Sequence, residues 1–173
     1  GAVGNRDALT SAYGRVEMLP ALQELQLLTR HGGTPCCIVF MDIDHLKRIN
    51  DQHGHPVGDA VLAGVVRHLD LHLRTQDKVF RYGGDEFLVA LSGADLATAR
   101  EVVSRVRLGL AGKLLIAGPE GSTMQVTASF GLALLDPARQ FGGRRRPADV
   151  KPLHRVAAQF HQLLVDGVGL DPF

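Results

Sequence analysis

The segment RYGGDEF, residues 81–87, places two glycines directly before two carboxylates. The flanking runs, 79–82 and 87–91, are rich in β-branched and aromatic side chains, which favour strands. A Gly-Gly pair between two such runs predicts a tight hairpin, because the favoured turns need a positive φ that glycine adopts at little cost. The turn does not explain Asp85 and Glu86, since two adjacent like charges repel each other unless a cation lies nearby.

Composition predicts one domain with a substantial core over residues 1–173, because 45% of the residues are apolar. The net charge of +1 and the pI of about 8.1 create no field that calls for nucleic acid or an anionic membrane. The longest apolar runs, 36–41 and 87–91, are too short to span a bilayer. Cys36 and Cys37 are expected to be small core residues in a reducing compartment, so the expected location is the cytoplasm.

Hydrophobic spacing predicts alternating helices and strands. Helices are expected over 7–30, with Pro20 starting or kinking the first, and over 46–52, 61–73, 95–110 and 153–165. A buried central strand is expected at 36–41, and strands 114–117 and 125–135 are expected to pair with each other. The predicted fold class is α/β (α+β), with a central sheet covered by helices.

A second group of carboxylates follows the buried strand, in the segment MDID at 41–44. If this strand lies beside the hairpin, Asp42 and Asp85 meet at one rim of the sheet. With the Ile43 carbonyl they form a hard-oxygen site suited to Mg²⁺, and two such ions ~3.5–4 Å apart would drive displacement at phosphorus. Alternatively, Asp42 and Asp44 cap the following helix, and Asp85 is a turn residue without a ligand-binding role. Spacing alone leaves both interpretations open.

Four motifs occur in register: DALT at 7–10, DIDHLKRIND at 42–51, RYGGDEF at 81–87 and VTASFG at 126–131. In order and spacing they resemble the GGDEF family of diguanylate cyclases. The resemblance implies a palm-like central mixed sheet surrounded by helices, a nucleotidyl-cyclase-like fold. It also implies condensation of two GTP molecules into cyclic di-GMP with release of two pyrophosphates. Each protomer would hold one GTP, so a homodimer is implied, controlled by an N-terminal sensory domain in a longer chain.

The resemblance also assigns chemical roles. Asp42, the Ile43 carbonyl and Asp85 would be the metal ligands, holding two Mg²⁺ or Mn²⁺ ions per active site. Asp85 and Glu86 would be catalytic carboxylates, Asp85 as the base for the attacking 3′-hydroxyl. Lys47 would stabilise negative charge on the phosphates, as a compact cation can.

Guanine recognition is implied for Asn50 and Asp59, because an Asp can accept from the guanine N1–H and N2–H₂ groups that adenine lacks. The implied substrate-binding set is completed by Leu46, His55, Gly83 and Gly84, and the glycines would let the hairpin approach the phosphates. Alternatively, His53 and His55 form a metal pair of their own, although the sequence has no Cys or third His nearby.

The segment RTQD at 74–77 resembles the family's RxxD product-inhibition site. Arg74 and Asp77 would bind an intercalated cyclic di-GMP dimer, since the arginine fork pairs with guanine and phosphate. Arg105 is the best-placed second arginine, with Arg100 and Arg107 behind it. The alternative is an ordinary Arg–Asp pair at a helix end, which contributes little.

Two regions depart from the family pattern. Ala12 stands where the entry motif usually carries Leu, which shrinks an apolar contact. Near the C-terminus Leu164 replaces a phosphate-contacting lysine and His161 replaces a tyrosine, although Lys151, Arg155 or the arginines at 144–146 could compensate. The missing lysine at 164 favours the alternative of a receptor that binds cyclic di-GMP or GTP without turnover. The other motif residues favour the enzyme. Neither DNA binding nor membrane contact by this domain is expected.

Overall fold

The structure, a computed structural model, describes residues 6–112, 114–115, 123–135 and 170–172. The helix predicted over 153–165 lies outside these residues. In chain order the described elements are α1 (Arg15–Gly32), β1 (Cys36–Ile43), α2 (Leu46–His53), α3 (His55–His72), β2 (Lys78–Arg81), β3 (Glu86–Ser92), α4 (Leu96–Ala111), β4 (Leu114–Leu115), β5 (Thr123–Met124), β6 (Ala128–Leu135) and β7 (Leu170–Pro172).

The central sheet has the strand order β2-β3-β1-β6-β7. Each neighbouring pair is antiparallel, and an isolated bridge between Tyr13 and Phe80 is parallel. All of residues 36–41 are buried, as their unbroken apolar run predicts for a central strand. In the register, Asp42 at the end of β1 lies between Glu86 of β3 and Ser129 of β6.

Helices cover both faces of the sheet, so the predicted α/β (α+β) class is confirmed. The resemblance implied a mixed sheet, whereas the described strand pairs are all antiparallel. Side chains alternate between faces along a strand, and β1 therefore contributes to two cores. One core joins β1 to α3 and α4 through Cys37, Val39, Met41, Val61, Val65 and Val106. The other joins it to α1 through Ile38, Phe40, Met18 and Leu22.

Local sequence accounts for several helix ends. The Asp95 side chain accepts a hydrogen bond of 2.8 Å from the Thr98 amide and caps α4, as predicted. Gly54, with φ 89°, separates α2 from α3, and Pro56 stands in the first turn of α3. No helix in the described part of the chain is long and apolar enough to cross a membrane.

The entry segment corrects the helix predicted over 7–30, because α1 begins only at Arg15. The Asp7 carboxylate accepts from the Thr10 amide at 2.9 Å, and the Ser11 amide donates to the Asp7 carbonyl at 2.8 Å. These local bonds compete with helical hydrogen bonding and hold residues 7–12 in a turn. Pro20 therefore lies inside α1 and does not start it.

The pairing predicted between 114–117 and 125–135 is also wrong. β4 pairs with β5 in a separate two-stranded sheet, whereas β6 joins the central sheet beside β1. The β6 side chains alternate between half-buried and buried positions, and several of them contribute to the two cores. β6 pairs with β1 because this position buries its side chains in the two cores. Closeness in the sequence to 114–117 does not determine the pairing.

Candidate metal and nucleotide site

The ends of β1 and the hairpin form one cleft of about 220 Å³, here called the Asp42 cleft. Its lining consists of Asp42, Ile43, Asp44, His45, Leu46, Lys47, Asp85 and Ser129. The Ile43 amide donates to the Asp85 carbonyl at 3.1 Å, which fixes the hairpin loop against the end of β1. The predicted meeting of Asp42 and Asp85 at one rim is therefore confirmed, with Lys47 beside them.

The donors in the Asp42 cleft fit a hard cation that takes few side-chain ligands. Two carboxylates and a backbone carbonyl are oxygen ligands of the kind Mg²⁺ accepts, the remaining positions being left to water and substrate phosphates. Among the residues that the structure describes, no three His, Cys, Asp or Glu side chains gather around a common point. The donor set is thus unlike a site for Zn²⁺, which takes three or four such ligands.

Asp44 has a structural role in this cleft. Its carboxylate accepts from the Thr127 hydroxyl at 2.9 Å and from the Ser129 hydroxyl at 2.7 Å. Its amide donates to the Thr127 carbonyl at 2.9 Å, so Asp44 joins the end of β1 to β6. The residue at the N-cap of α2 is His45, with φ 58°, and no side chain caps that helix. The alternative that Asp44 caps the helix is therefore wrong.

Asn50 carries a buried acceptor at the junction of α2 and α3. Its Oδ1 atom has no hydrogen-bond partner within the described ranges, and a buried acceptor left without one costs roughly 1–3 kcal/mol. A Cβ atom at Gly58 would overlap this oxygen, so only glycine leaves room for it. Asp59 is the next residue of α3 and is exposed. Gly58 was not among the predicted site residues, although its place directly before Asp59 was visible in the sequence.

The two histidines flanking Gly54 lie at the same junction, His53 as the last residue of α2 and His55 as the first of α3. Both side chains are exposed. No third metal-binding side chain joins them among the residues described. The alternative of a separate histidine metal site thus finds no complete ligand set. Leu46, by contrast, is buried and packs into the core while lining the Asp42 cleft.

The two glycines of the hairpin loop were predicted from the need for a positive φ in a tight turn, and this reason is wrong. Gly83 and Gly84 do not have positive φ, because the loop between β2 and β3 has four residues and does not use the tight two-residue turn. A Cβ at Gly83 would approach the Glu86 carboxylate to 3.2 Å, and a Cβ at Gly84 would meet nothing within 4 Å. Gly83 therefore leaves room for Glu86, and Gly84 keeps the loop tip uncovered.

Burial is the largest influence on Glu86, and it raises the pKa of this carboxyl group. The neighbouring charge of Asp85 raises the pKa further, and the guanidinium of Arg15 partly opposes both effects. The Arg15 guanidinium also lies 4.5 Å from the centre of the Tyr82 ring and donates to its hydroxyl at 3.3 Å. α1 thus places a cation against the hairpin that carries both carboxylates.

A second arginine connects the hairpin to the entry segment. Arg81 donates to the Asp7 carboxylate at 3.1 Å and 3.2 Å, and to the Gly84 carbonyl at 2.8 Å. Burial alone would raise the pKa of Asp7, but hydrogen bonds from Thr10 and Arg81 and the charge of Arg81 hold it below the usual value. Neither Asp7 nor Arg81 was among the predicted site residues.

The predicted product site lies in the turn after α3. The Arg74 guanidinium contacts both oxygens of Asp77 at 3.3 Å and donates to the Ser92 carbonyl at 2.6 Å. The Arg74 side chain is 49% exposed, whereas that of Asp77 is 3% exposed. The turn therefore contains the Arg–Asp ion pair that was the alternative to a product site. About half of the Arg74 side chain remains accessible to a ligand.

Arg105 of α4 lies close enough to His72, the last residue of α3, for its charge to influence that histidine. The pKa of His72 is lowered by burial, then by His68, and then by the positive charge of Arg105. Arg107, a lower-ranked candidate for the second arginine, lines a different cleft together with Asp44. The C-terminal departures, Leu164 and His161, lie outside the described residues, as do the basic residues that could compensate for them: Lys151, Arg155 and 144–146.

Comparison with known proteins identifies the family. Residues 4–148 match the family model for the GGDEF domain, described as "Diguanylate cyclase, GGDEF domain". The probable diguanylate cyclase DgcT of Escherichia coli is 37% identical over 105 residues, 61% of this chain and 23% of that protein. The response regulator PleD of Caulobacter vibrioides is 34% identical over 127 residues, 73% of this chain and 28% of that protein. The chain thus spans about a quarter of the length of these relatives.

A solved structure agrees with these matches. The GGDEF domain of DgcB from Caulobacter crescentus, determined in complex with c-di-GMP, superposes with a TM-score of 0.71 at 26% identity. The match covers 78% of this chain and 77% of that one. Since the family model spans most of the sequence and the fold matches that of a solved GGDEF domain, the chain belongs to the GGDEF-domain family of diguanylate cyclases.

Proposed function

We propose that the protein is a diguanylate cyclase that condenses two GTP molecules into cyclic di-GMP and two pyrophosphates. In each of two steps a 3′-hydroxyl oxygen bonds to the α-phosphorus of the other nucleotide, and the bond from that phosphorus to pyrophosphate breaks. The observation that carries the proposal is the position of Asp85, whose carbonyl accepts from the Ile43 amide and which shares one cleft with Asp42 and Lys47.

Asp42, the Ile43 carbonyl and Asp85 would hold Mg²⁺ or Mn²⁺, two ions per active site. When bound, the metal would stabilise negative charge on the phosphates and orient them for displacement. Lys47, exposed at the start of α2, would add a positive charge on the phosphate side. Asp85 is the proposed base that takes the proton from the attacking 3′-hydroxyl, and Glu86 would assist from the next position. The nearby Gly83 and Gly84 leave space for the phosphates.

Guanine recognition is proposed for the junction of α2 and α3. Asn50 is half-buried, and a rotation of its side chain toward the nucleotide would pair its Oδ1 acceptor, which has no partner among the described residues, with a guanine N–H group. The exposed Asp59 would accept from the N1–H and N2–H₂ groups. Leu46 and His55 would complete the walls around the nucleotide.

Turnover would require two protomers, because each would bring one GTP. A two-fold arrangement places each 3′-hydroxyl opposite the other α-phosphate. An N-terminal sensory domain in a longer protein would set how often this encounter occurs. Product inhibition is proposed for Arg74 and Asp77 together with Arg105.

The proposal is tested by incubating the domain at high concentration with GTP and Mg²⁺ and separating the nucleotides by chromatography with mass detection. Cyclic di-GMP and pyrophosphate should appear in a ratio of one to two, and the rate should rise faster than linearly with protein concentration. Binding of GTP or cyclic di-GMP without any turnover would overturn the cyclase and support the receptor, the alternative that Leu164 favours.

A further inference from the structure

The end of α3 carries two histidines, His68 and His72, that have no part in the proposed reaction. They are four residues apart and therefore lie on the same side of the helix. Their rings meet edge to face, with the centroids 4.8 Å apart. Both residues are half-buried, so part of each side chain remains open to solvent.

Contacts with α4 fix the position of His68. Its Nε2 atom lies 3.0 Å from the Val106 carbonyl oxygen. Because a carbonyl oxygen can only accept, Nε2 carries the proton and donates. A Cβ atom at Gly109 would overlap the His68 ring. Glycine is unfavourable inside a helix, and the space that this ring needs explains its presence at 109.

The packing of α4 against α3 places Arg105 opposite His72. The two helices run antiparallel, since the turn after α3 is hydrogen-bonded to the carbonyl of Ser92, shortly before α4 begins. His72 lies one turn after His68, and Arg105 lies one turn before Gly109. Because His68 packs on Gly109, the next turn of each helix brings the imidazole and the guanidinium together. The charge of Arg105 accordingly acts on His72.

The charges that face His72 are positive. His68 faces it from α3 and Arg105 from α4, and after burial these two groups are the influences that lower the pKa of His72. Asp70, the carboxylate between the two histidines in the sequence, has Arg6 as the charge that acts on it. The imidazole of His72 is therefore uncharged at neutral pH when no anion is bound beside it.

We propose that His72 is a further binding residue of the proposed product site and that it takes up a proton when cyclic di-GMP binds there. The inference rests on the proposed function, which assigns Arg74, Asp77 and Arg105 to that site. Arg74 follows His72 by two residues, and half of its side chain is exposed. A phosphate placed beside His72 favours the imidazolium, which donates a charge-assisted hydrogen bond to a phosphate oxygen. The proton comes from solvent and returns to it when the product leaves.

Product inhibition then depends on pH in a defined direction. At a pH below the pKa of free His72 the imidazole is charged before the product arrives, and at a pH above the pKa in the complex it is neutral in both states. The affinity for cyclic di-GMP should therefore be highest below 6.5, the usual histidine value, and fall as the pH rises. Arg74 and Arg105 stay charged throughout this range and cannot produce the dependence.

Calorimetric titrations with cyclic di-GMP, in two buffers of different ionisation enthalpy at each pH, count the protons taken up. The parent should take up protons near pH 6.5 and bind roughly tenfold more tightly below that pH than at about pH 8. His72→Gln should lose the uptake and show the weaker affinity at every pH. His72→Lys, a permanent cation, should bind tightly at every pH without uptake. His31→Gln, an exposed histidine in the last turn of α1, is the control and should behave as the parent does.

Proton uptake that persists in His72→Gln would belong to another group and would overturn the assignment. A parent affinity that does not change with pH would overturn it as well. A parent that does not bind cyclic di-GMP would overturn the product site together with this inference. The failure of the cyclase proposal has a different signature, since a parent that binds cyclic di-GMP with proton uptake but forms none from GTP leaves the role of His72 intact.

Discussion

Asp7 and Arg81, separated by 74 positions in the sequence, form an ion pair of 3.1 Å beside the hairpin. The same guanidinium donates to the Gly84 carbonyl, one residue before Asp85. The entry segment, where any upstream domain would attach, is therefore connected by two side chains to the loop that carries a proposed metal ligand. Holding this loop is a means of orienting Asp85 that does not depend on α2 or α3.

Replacing Asp7 by Asn should destabilise the fold and slow turnover. The change removes a charged partner of Arg81, and hydrogen bonds to charged groups typically contribute about 1.5–3 kcal/mol. The depressed pKa of Asp7 adds a pH dependence: its contribution is present above 3.8, the unfolded value, and is lost as the pH falls through the lower folded value. Acid titrations followed by circular dichroism should show a difference between parent and variant that is constant well above pH 3.8 and shrinks as the pH falls below that value. A constant difference at every pH would contradict this prediction.

Replacing Asp85 by Asn should abolish synthesis of cyclic di-GMP and leave the fold intact. The residue lies in a half-exposed loop, so the change removes metal-binding charge without opening the core. Product formation and thermal unfolding should be measured together, with Asp51→Asn, an exposed carboxylate of α2, as the control. Retained turnover in the Asp85 variant would show that Asp85 is not the ligand proposed.

Gly58→Ala should weaken GTP binding without a comparable loss of stability. Alanine is favoured over glycine inside a helix by about 1 kcal/mol, but its Cβ would displace the Asn50 side chain. We expect the KM for GTP to rise at least tenfold. Gly32→Ala is the control, since its added Cβ would make only an ordinary contact of 3.7 Å with Thr34. An unchanged KM in the Gly58 variant would mean that Asn50 does not contact the base.

Asp59→Ser should reduce the preference for GTP over ATP. The shorter hydroxyl cannot accept from both guanine donors, and sites built on hydrogen bonds discriminate strongly against partners that leave groups unpaired. Competition of ATP against labelled GTP measures the ratio of affinities in the parent and the variant. If the ratio does not change, base recognition lies elsewhere in the protein.

Arg74→Ala should relieve product inhibition while leaving initial rates with GTP close to those of the parent. A lost charge-assisted contact of ~1.5–3 kcal/mol corresponds to a fall of at least tenfold in affinity for cyclic di-GMP. Inhibition curves with added cyclic di-GMP give this affinity directly. Because Arg74 also holds Asp77 and the Ser92 carbonyl, some loss of thermal stability accompanies the change in either case. An unchanged inhibition curve would mean that Arg74 does not bind the product and only forms the ion pair with Asp77.

The local sequence pattern was sufficient to predict a helix or strand whose own residues carry a clear hydrophobic or capping pattern. The unbroken apolar run at 36–41 predicted the buried central strand, and the spacing of Val61 and Val65 predicted α3. Asp95 marked the start of α4 because an N-cap is a contact between neighbours in sequence. The meeting of Asp42 and Asp85 was also predictable, once the first strand and the hairpin were assumed to be neighbours in the sheet.

Contacts between distant residues were decided only by the tertiary structure. The place of β6 beside β1, the Asp7–Arg81 ion pair and the room that Gly58 leaves for Asn50 each depend on which surfaces pack together. Hydrophobic periodicity does not predict which surfaces pack together, because burial and hydrogen bonding across the whole sheet determine that packing. The sequence by itself thus determined the elements and most of the candidate site residues. The packing of those elements decided which side chains hold the hairpin and which arginine of α4 faces the cleft beside Asp44.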